Sequence, residues 1–397
     1  MLRSLFSGIS GMRSHQTMLD VTGNNIANVN TTGYKASQTQ FKDTLSQMVQ
    51  NAGAAQGGVG GTNPAQVGLG VQVSGITTNF TQGAAQTTGR STDMMISGDG
   101  FFVVQKDGQQ FYTRAGAFDF DSNGNFVTPE GAYVMGWPAT NGAIDVNGQI
   151  GPLRLPMTAL LGSEETTAIS FDGNLPSDAA TGTNLDRDVV VYDSLGNART
   201  VTLSFAKVTA PGPGAMQWTV TATDENGSTG TSTLEFDANG QTTAGTAVTV
   251  GGITVDLATI TGYANLTTVQ ASSRDGQQAG SLQSFQITAD GTVLGAFSNG
   301  LKQAVGKISL ATFANPAGLE KQGGNLYGTS VNSGDAQVGE PGMGGRGGLV
   351  GGALEMSNVD LSQEFTNLII AQRGFQANSR VITTSDEVLQ ELVNLKR

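Results

Sequence analysis

The sequence contains no cysteine and a single histidine, His15. Without cysteine the chain forms no disulfide, no thiolate nucleophile and no cysteine-ligated zinc or iron–sulfur site. With one histidine, a site with several histidine ligands is excluded as well, and a histidine-dependent triad would have to use His15. Charged residues are also scarce, at 13% of 397 residues against an average of about 25%. This composition argues against most kinds of enzyme, and we expect no metal and no cofactor.

Positive charge and long apolar runs are lacking too. Asp and Glu number 32 against 20 Lys and Arg, so the formal net charge of −12 argues against a nucleic-acid or anionic-membrane partner. No run approaches the roughly 18 apolar residues of a membrane span, so we expect no membrane insertion. The first twelve residues include Arg3 and no continuous apolar stretch, which predicts no cleaved secretory signal. If the protein is exported, we expect a different export signal.

Apolar residues recur at seven-residue intervals at both ends of the chain. The N-terminal stripe consists of Leu5, Ile9, Met12, Leu19 and Ile26. The C-terminal stripe consists of Leu361, Phe365, Leu368, Phe375, Ile382 and Leu389, and Val393 continues its seam. Sustained heptads predict long helices that pack lengthwise against other helices. The segment Ser357–Asp360, just before the second stripe, is typical of a helix-capping sequence, with its acidic residue near the positive end of the helix.

Glycines weaken the predicted N-terminal helix. Gly8, Gly11 and Gly23 each cost about 1 kcal/mol relative to alanine inside a helix, so this helix needs partners for its apolar stripe. Two partners fit: the C-terminal helix of the same chain, and copies of both helices in neighbouring subunits. The plainer alternative is a helix hairpin packed on its own β domain.

Glycine-rich segments adjoin both helices. One runs from Gly53 to Gly61, and seven of the eleven residues from Gly342 to Gly352 are glycine. Such segments are typical of flexible connections. We therefore predict hinges at Gly57, Gly58, Gly344 and Gly347.

The sequence between these segments predicts β structure. Short runs rich in Val and Thr alternate with turns of the form Asp-x-x-Gly at Asp121, Asp193, Asp224 and Asp237, where the Asp side chain bonds the turn and Gly takes a positive φ. The predicted fold class is mixed: long terminal helices forming a coiled-coil-like module, plus two all-β domains nested in the chain. The predicted division is 1–30 with 355–397 as helical module, 31–75 as linking segment, 76–150 with 279–354 as middle β domain, and 151–278 as inserted outer β domain.

Three features suggest ligand or catalytic sites, and each has a plainer interpretation. The segment Asp119 to Glu130 has the spacing of an EF-hand calcium loop, but strand-like residues flank it, so we favour a β-hairpin. Gly342 to Gly347 satisfies G-x-G-x-x-G without a preceding strand, so we favour a glycine-rich connection. His15 is interpreted as a surface or packing residue. The carboxylates leave a carboxylate-only glycosidase open on composition, but no pair stands out.

Several long segments resemble the bacterial flagellar axial proteins, the rod and hook family. They are Ser7–Met12, Thr22–Lys35, Asp93–Val104, Tyr112–Phe118, Ser357–Leu361 and Gln372–Asn378. The resemblance covers about the first 135 and the last 120 residues. Roughly 130 residues, from about 150 to 280, fill the place of an inserted domain, which favours the hook branch over the shorter distal rod proteins.

The resemblance implies a structural role. In this family the terminal helices form an inner tube around an export channel, and the β domains form outer shells. Subunits leave through a type III export apparatus and polymerise outside the cell into a curved helical tube, a universal joint that transmits torque from rod to filament. The implied partners are further copies of the chain, the distal rod protein, the hook cap protein and the hook–filament junction protein. The alternatives are a distal rod subunit, a surface adhesin and a carboxylate enzyme.

Overall fold

A computed structural model of the chain describes residues 2–54, 57, 60–140, 142–155, 160–209 and 216–395. The chain divides into two compact units. The body unit comprises Met1–Leu155, Phe285–Leu294 and Ala304–Arg397, and the inserted unit comprises Pro156–Ser284 and Gly295–Gln303. The finer predicted division into four parts stays a prediction.

Long helices lie at both ends of the chain, as the heptads predict. Helix α1 spans Leu2–Ala27 and helix α2 spans Leu361–Asn394. The N-cap of α2 is Asp360, the last residue of the predicted capping segment, and its carboxylate accepts hydrogen bonds from the backbone N–H groups of Ser362 and Gln363. This carboxylate satisfies two of the donors that a helix N-terminus leaves unpaired.

Strands fill the chain between the helices, which confirms the mixed fold class. The strands up to residue 155 are β1 (Ser37–Asp43), β2 (Ser46–Gln50), β3 (Ala65–Gly68), β4 (Val71–Thr78), β5 (Ala85–Thr87), β6 (Met94–Ser97), β7 (Phe101–Lys106), β8 (Gln109–Thr113), β9 (Asp119–Phe120), β10 (Phe126–Val127), β11 (Tyr133–Thr140), β12 (Ala143–Ile144) and β13 (Gly151–Pro152). The next strands are β14 (Leu160–Leu161), β15 (Ala168–Asn174), β16 (Asn184–Tyr192), β17 (Ala198–Val208), β18 (Met216–Asp224), β19 (Thr229–Phe236), β20 (Thr242–Ala244), β21 (Ala247–Val250), β22 (Ile253–Thr261) and β23 (Gln270–Arg274). The last are β24 (Gly280–Ile287), β25 (Thr292–Phe297), β26 (Lys302–Ile308), β27 (Leu310–Thr312), β28 (Glu320–Gly323), β29 (Leu326–Gly328), β30 (Gln337–Gly339), β31 (Gly348–Gly351) and β32 (Ala353–Glu355), with a 3₁₀ turn at Pro316–Gly318.

The core of the body unit lies on a sheet in which β26, β11, β7, β8, β29 and β28 are neighbours in that order. Aromatic rings meet edge to face across it: the ring centroids of Phe101 and Phe313 are 5.7 Å apart, and those of Tyr112 and Phe313 are 4.7 Å apart. Such pairs contribute beyond the apolar area that they bury. The chain leaves this sheet toward α2 through β31 and β32, which pair with β6 and β5.

The inserted unit is a β-sandwich. A four-stranded sheet (order β21-β22-β15-β23) and a five-stranded sheet (order β16-β17-β18-β19-β20) enclose one apolar core. Burial alternates along β18, where Trp218, Val220 and Ala222 are buried while their neighbours are partly exposed. This period of two is the strand pattern of a sheet with one face in a core.

The four predicted Asp-x-x-Gly turns form, but the Asp side chain bonds the turn backbone in three of them, at Asp121, Asp193 and Asp237. In the fourth, the Asp224 carboxylate accepts a hydrogen bond from Arg199 at 3.1 Å instead. Gly124, Gly196, Gly227 and Gly240 all have positive φ, between 76° and 83°. Each donates its backbone N–H to the carbonyl of the Asp three residues earlier, at 2.8–3.0 Å.

The EF-hand-like segment forms the predicted β-hairpin. Strands β9 and β10 pair antiparallel, and Asp121 Oδ1 accepts the backbone N–H groups of Asn123 and Asn125, each at 2.8 Å. Asp121 Oδ2 accepts the side-chain amide of Asn125 at 2.7 Å. The carboxylate thus stabilises the turn through hydrogen bonds.

Candidate functional site

The two terminal helices pack antiparallel against each other within the chain. Gly8 faces Val381 and Ile382, Gly11 faces Asn378, and His15 faces Gly374. Nearer the other end of the pair, Asn25 donates a hydrogen bond to Glu364 at 3.0 Å. Facing positions rise along α1 as they fall along α2, so one register holds over the whole contact. The C-terminal helix of the same chain, one of the two partners predicted for α1, therefore packs against it.

Glycines mark where the helices approach most closely. A Cβ added to Gly11 would lie 2.7 Å from the side chain of Asn378, and one added to Gly374 would lie 2.5 Å from the ring of His15. Neither contact is possible for a larger residue without a shift of the partner. The helical cost of Gly11 and Gly374 is therefore offset by close packing, whereas a Cβ added to Gly23 would meet no atom within 4 Å.

The predicted stripe residues are not fully covered by this packing. Most of them are half-buried: Leu5, Ile9, Met12, Leu19, Ile26, Leu368, Phe375, Ile382 and Leu389. Leu361 and Phe365 are exposed, the latter by 52%. The helix pair thus brings the two stripes toward each other but leaves apolar surface uncovered, and their role in assembly stays a prediction.

Further apolar side chains on the helices are exposed and were missed by the heptad analysis. They include Phe6, Ile369, Ile370, Val381, Val388 and Leu392. Ile369 and Ile370 expose 55% and 53% of their surface. The spacing of apolar residues in the sequence marks some of them. Ile369 lies four residues after Phe365, and Leu392 lies four residues after Val388, so the two members of each pair share a helix face. We call Phe365, Ile369 and Ile370 the outer apolar face of α2.

The linking segment forms a long two-stranded ribbon. Strand β1 pairs with β4, and β2 pairs with β3, both antiparallel. The first half lies on α1, where the rings of Phe41 and His15 are 5.9 Å apart and Ser10 accepts the backbone N–H of Val71. In the second half every residue of β2 and β3 is exposed, and Leu45 is exposed by 83%. An isolated two-stranded ribbon is marginally stable in water.

The second half of the ribbon is also free of charge. No charged residue occurs from Thr44 to Gly89. Met48, Val49 and Val67 expose apolar side chains on its second half. Uncharged, partly apolar surface of this kind is typical of a contact with another protein.

Asparagine side chains join the helix pair to the strands. Asn25 donates to the carbonyl of Ser37 at 2.8 Å and accepts the N–H of Ser37 at 3.0 Å. Asn358 accepts the N–H of Ala36 and donates to the carbonyl of Asn79, both at 2.8 Å. These residues belong to two of the motifs that carry the family resemblance, for which the sequence alone gave no structural role.

Charged side chains are buried at the same junction. Lys35 Nζ lies 2.6 Å from Glu355 Oε1, and Arg114 Nη1 lies 3.5 Å from Glu355 Oε2. Burial lowers the pKa of Lys35 and of Arg114, while the Glu355 carboxylate acts in the opposite direction on both. Burial also raises the pKa of Tyr327 beside them. Lys35 and Arg114 belong to segments that carry the family resemblance, but the sequence patterns predicted neither their burial nor their contact with Glu355.

The predicted hinge glycines lie in two different settings. Gly57 lies between β2 and β3, in the connection at the end of the ribbon, and Gly58 lies outside the described residues. Gly344 has φ of 60°, and Gly347 donates its N–H to the carbonyl of Asp99 at 2.7 Å just before β31. The G-x-G-x-x-G segment is thus a turn between β30 and β31. Action of these glycines as hinges stays a prediction.

Neither a metal-binding cluster nor a membrane-spanning helix occurs in the part of the chain that the structure describes. Across the described ranges, no group of three or more His, Asp or Glu side chains is placed to hold a metal ion. None of the helices described in the structure is sufficiently long and apolar to cross a membrane.

Four family models match the chain, and all describe flagellar rod or hook proteins. They are "Flagella basal body rod protein" at residues 5–35, "Flagellar hook protein FlgE/F/G D1 domain" at 95–175, "Flagellar basal body protein FlaE D2 domain" at 160–315 and "Flagellar basal body rod FlgEFG protein C-terminal" at 350–395. Together with the paired terminal helices and nested β units, these matches define the class as flagellar axial proteins.

Similar proteins narrow the class to one family. The flagellar hook protein FlgE of Treponema pallidum is 39% identical, with 100% of both chains covered, and that of Salmonella typhimurium is 36% identical over 99% of this chain and 100% of the relative. The basal-body rod protein FlgG of Bacillus subtilis is also 36% identical over both full lengths. The crystal structure of Helicobacter pylori FlgE2 has a TM-score of 0.54 at 15% identity, covers 66% of this chain and 98% of its own, and supports the fold alone. The chain belongs to the flagellar hook protein family.

Proposed function

We propose that this protein is the structural subunit of a bacterial flagellar hook, which polymerises into a curved helical tube and transmits torque from rod to filament. Family membership supports the hook assignment. The main observation in favour of polymerisation is the uncovered apolar surface of the helix pair. Exposed apolar surface on a long helix favours burial against other helices. In this proposal the outer apolar face of α2 and the two heptad stripes form the wall of the tube.

The uncharged second half of the ribbon is a second contact in this proposal. It gains stability when its apolar side chains are covered by a neighbouring copy. Because the contacting side chains of this half and of the outer apolar face are uncharged, neighbouring copies change their spacing without breaking ion pairs between these side chains. The glycines at positions 57, 58, 344 and 347 would supply local flexibility, and the β domains would form the outer shells around the helical module.

The proposed partners are other copies of the chain, the distal rod protein, the hook cap protein, the hook–filament junction protein and a type III export apparatus. The protein acts as a structural element and not as an enzyme. A distal rod subunit is the second candidate, because the Bacillus subtilis rod protein matches over the full chain. The match of residues 160–315 to a D2 domain, at the place of the inserted unit, supports the hook over the shorter rod proteins.

Deletion of the gene distinguishes the two candidates. Detergent-extracted basal bodies of the deletion strain are imaged by electron microscopy, with a strain carrying the wild-type gene in trans as control. Complete rods without hooks are expected. Rods that end early would assign the protein to the distal rod, and intact hooks with normal swimming would contradict both candidates.

A further inference from the structure

One buried cluster of charged side chains joins three distant segments of the body unit. Lys35 follows α1, Arg114 follows β8, and Glu355 ends β32 shortly before α2. Their exposed fractions are 0%, 2% and 1%, respectively. Lys35 and Glu355 are 320 residues apart in the chain, so their contact closes a long loop between the two ends.

Backbone groups extend the cluster to further segments. Lys35 Nζ donates to the carbonyl of Thr81 at 2.8 Å, and Glu355 Oε1 accepts the N–H of Gly83 at 2.8 Å. Arg114 Nη1 donates to the carbonyl of Gly98 at 2.9 Å. Gly33 donates its N–H to the carbonyl of Glu355 at 2.8 Å, so the two connections to the helices also touch directly.

Lys35 and Arg114 share one buried carboxylate, that of Glu355, and the exposed Asp99 also acts on Arg114 by raising its pKa. Among the described residues, Arg114 Nε and Glu355 Oε2 have no hydrogen-bond partner. A buried ion cluster of this kind gives little net stability over apolar residues, because desolvation of the charges offsets their attraction. Loss of one member is costly, however, because it leaves an uncompensated charge in the interior. The cluster therefore strongly favours the one chain arrangement that brings all three side chains together over any arrangement that leaves one of them out.

We infer that Lys35, Arg114 and Glu355 form a latch that fixes both chain connections of the helix pair to the body-unit sheet in a single geometry. With the latch closed, α1 and α2 dock together, because Lys35 follows α1 and Glu355 precedes α2 in the chain. Partial docking of one helix leaves a buried charge without its partner. The latch lies within one chain and does not depend on the proposed function.

Hydrogen exchange of the full chain, measured by mass spectrometry, tests the latch. The reporters are peptides that contain Gly33, Ala36 and Met356, whose N–H groups bond across the junction, and the reference is β17 and β18 of the inserted unit. Glu355→Gln removes the carboxylate, and Glu320→Gln on the exposed strand β28 is the matched control. Lys35→Met and the double variant Lys35→Met/Glu355→Gln complete a double-mutant cycle.

Glu355→Gln is expected to speed exchange at the junction peptides at least about 10-fold, while the reference strands and the control variant keep wild-type rates. The double variant is expected to exchange no faster than the faster single variant, since either substitution opens the same latch. Junction exchange equal to that of the control, or additive effects of the two single substitutions, would overturn the inference.

If Glu355→Gln also unfolds the reference strands, Glu355→Asp takes its place, which keeps the charge but shortens the side chain by one methylene. Faster exchange confined to the junction is then the expected result. Unfolding of the reference strands in this variant too would show a general core element rather than a latch, and would overturn the inference.

Discussion

The imidazole of His15 lies against Gly374, so close that a methyl group on Gly374 would be 2.5 Å from the ring. Together with Gly11 against Asn378, this contact marks where α1 and α2 approach most closely. It also gives His15 a packing role, since its ring lies between Gly374 and the ring of Phe41. The structure thus supports the interpretation of His15 as a packing residue.

Gly374→Ala is expected to weaken the helix pair. The added methyl group overlaps the His15 ring, and overpacking of this kind costs about 1–3 kcal/mol. Thermal unfolding followed by far-ultraviolet circular dichroism measures the loss. The matched control is Gly23→Ala, also on a helix but with open space around it, which should stabilise α1 by about 1 kcal/mol. Equal melting of the two variants would show that the helices do not meet at Gly374.

Ile369→Asp is expected to abolish polymerisation while the monomer stays folded. Ile369 is 55% exposed in the single chain, so a charge there meets water before assembly and apolar surface after it. Polymer formation by the purified chain is followed by electron microscopy, and the monomer fold by circular dichroism. The control variant Ile369→Leu keeps an apolar side chain of equal size at the same position and should polymerise. Normal tubes from Ile369→Asp would show that the outer apolar face does not lie in the interface between copies.

Phe375→Asp should already disrupt the packing of α1 against α2 in the single chain, before assembly. Phe375 is half-buried already in the single chain, so the charge disrupts the helix pair as well as assembly. We expect loss of the helical circular dichroism signal and of polymers. Limited proteolysis should show that the β units stay folded. Tubes of normal appearance from this variant would contradict the assignment of the C-terminal stripe.

Acid should destabilise the protein between about pH 4 and pH 2. A hydrogen bond from the Thr288 hydroxyl, with help from Thr292 and Lys307, lowers the pKa of Asp290 to about 2. The hydrogen bond from the Asn197 side chain likewise lowers the pKa of Asp193. A carboxylate with a depressed folded-state pKa stabilises the fold above its unfolded value of 3.8 and loses that contribution as the pH falls through its folded pKa.

The melting temperature measured from pH 6 to pH 2 checks this expectation. Asp290→Asn should flatten the acid limb of the curve, because the substituted side chain no longer titrates. A curve for Asp290→Asn that falls as steeply as that of the wild type would show that Asp290 does not contribute to the acid sensitivity.

Local signals in the sequence predicted much of the fold. Heptads at both ends predicted α1 and α2, and the segment Ser357–Asp360 predicted the start of α2 because capping depends only on neighbouring residues. The Asp-x-x-Gly turns were predictable for the same reason, since the Asp side chain and the Gly φ act within four residues. The hairpin at Asp119–Glu130 followed from strand-like residues on both sides of the loop.

Relations between distant residues could not be predicted in this way. The pairing of Lys35 with Glu355 joins residues far apart in sequence, and neither has a local pattern that marks it as buried. The heptad analysis selected one seam on α2 and missed Ile369 and Ile370, because a helix that contacts several neighbours needs more than one apolar face. The glycine-rich segment at Gly53–Gly61 indicated a flexible connection, yet its neighbours form the strands of a ribbon whose pairing depends on residues beyond it.

Cryo-electron microscopy of hooks sheared from cells shows directly which surfaces of the subunit are buried in the polymer. We expect a tube of identical subunits with Phe365, Ile369 and Ile370 buried between neighbouring copies. A tube in which these three side chains face water would contradict the proposed interface.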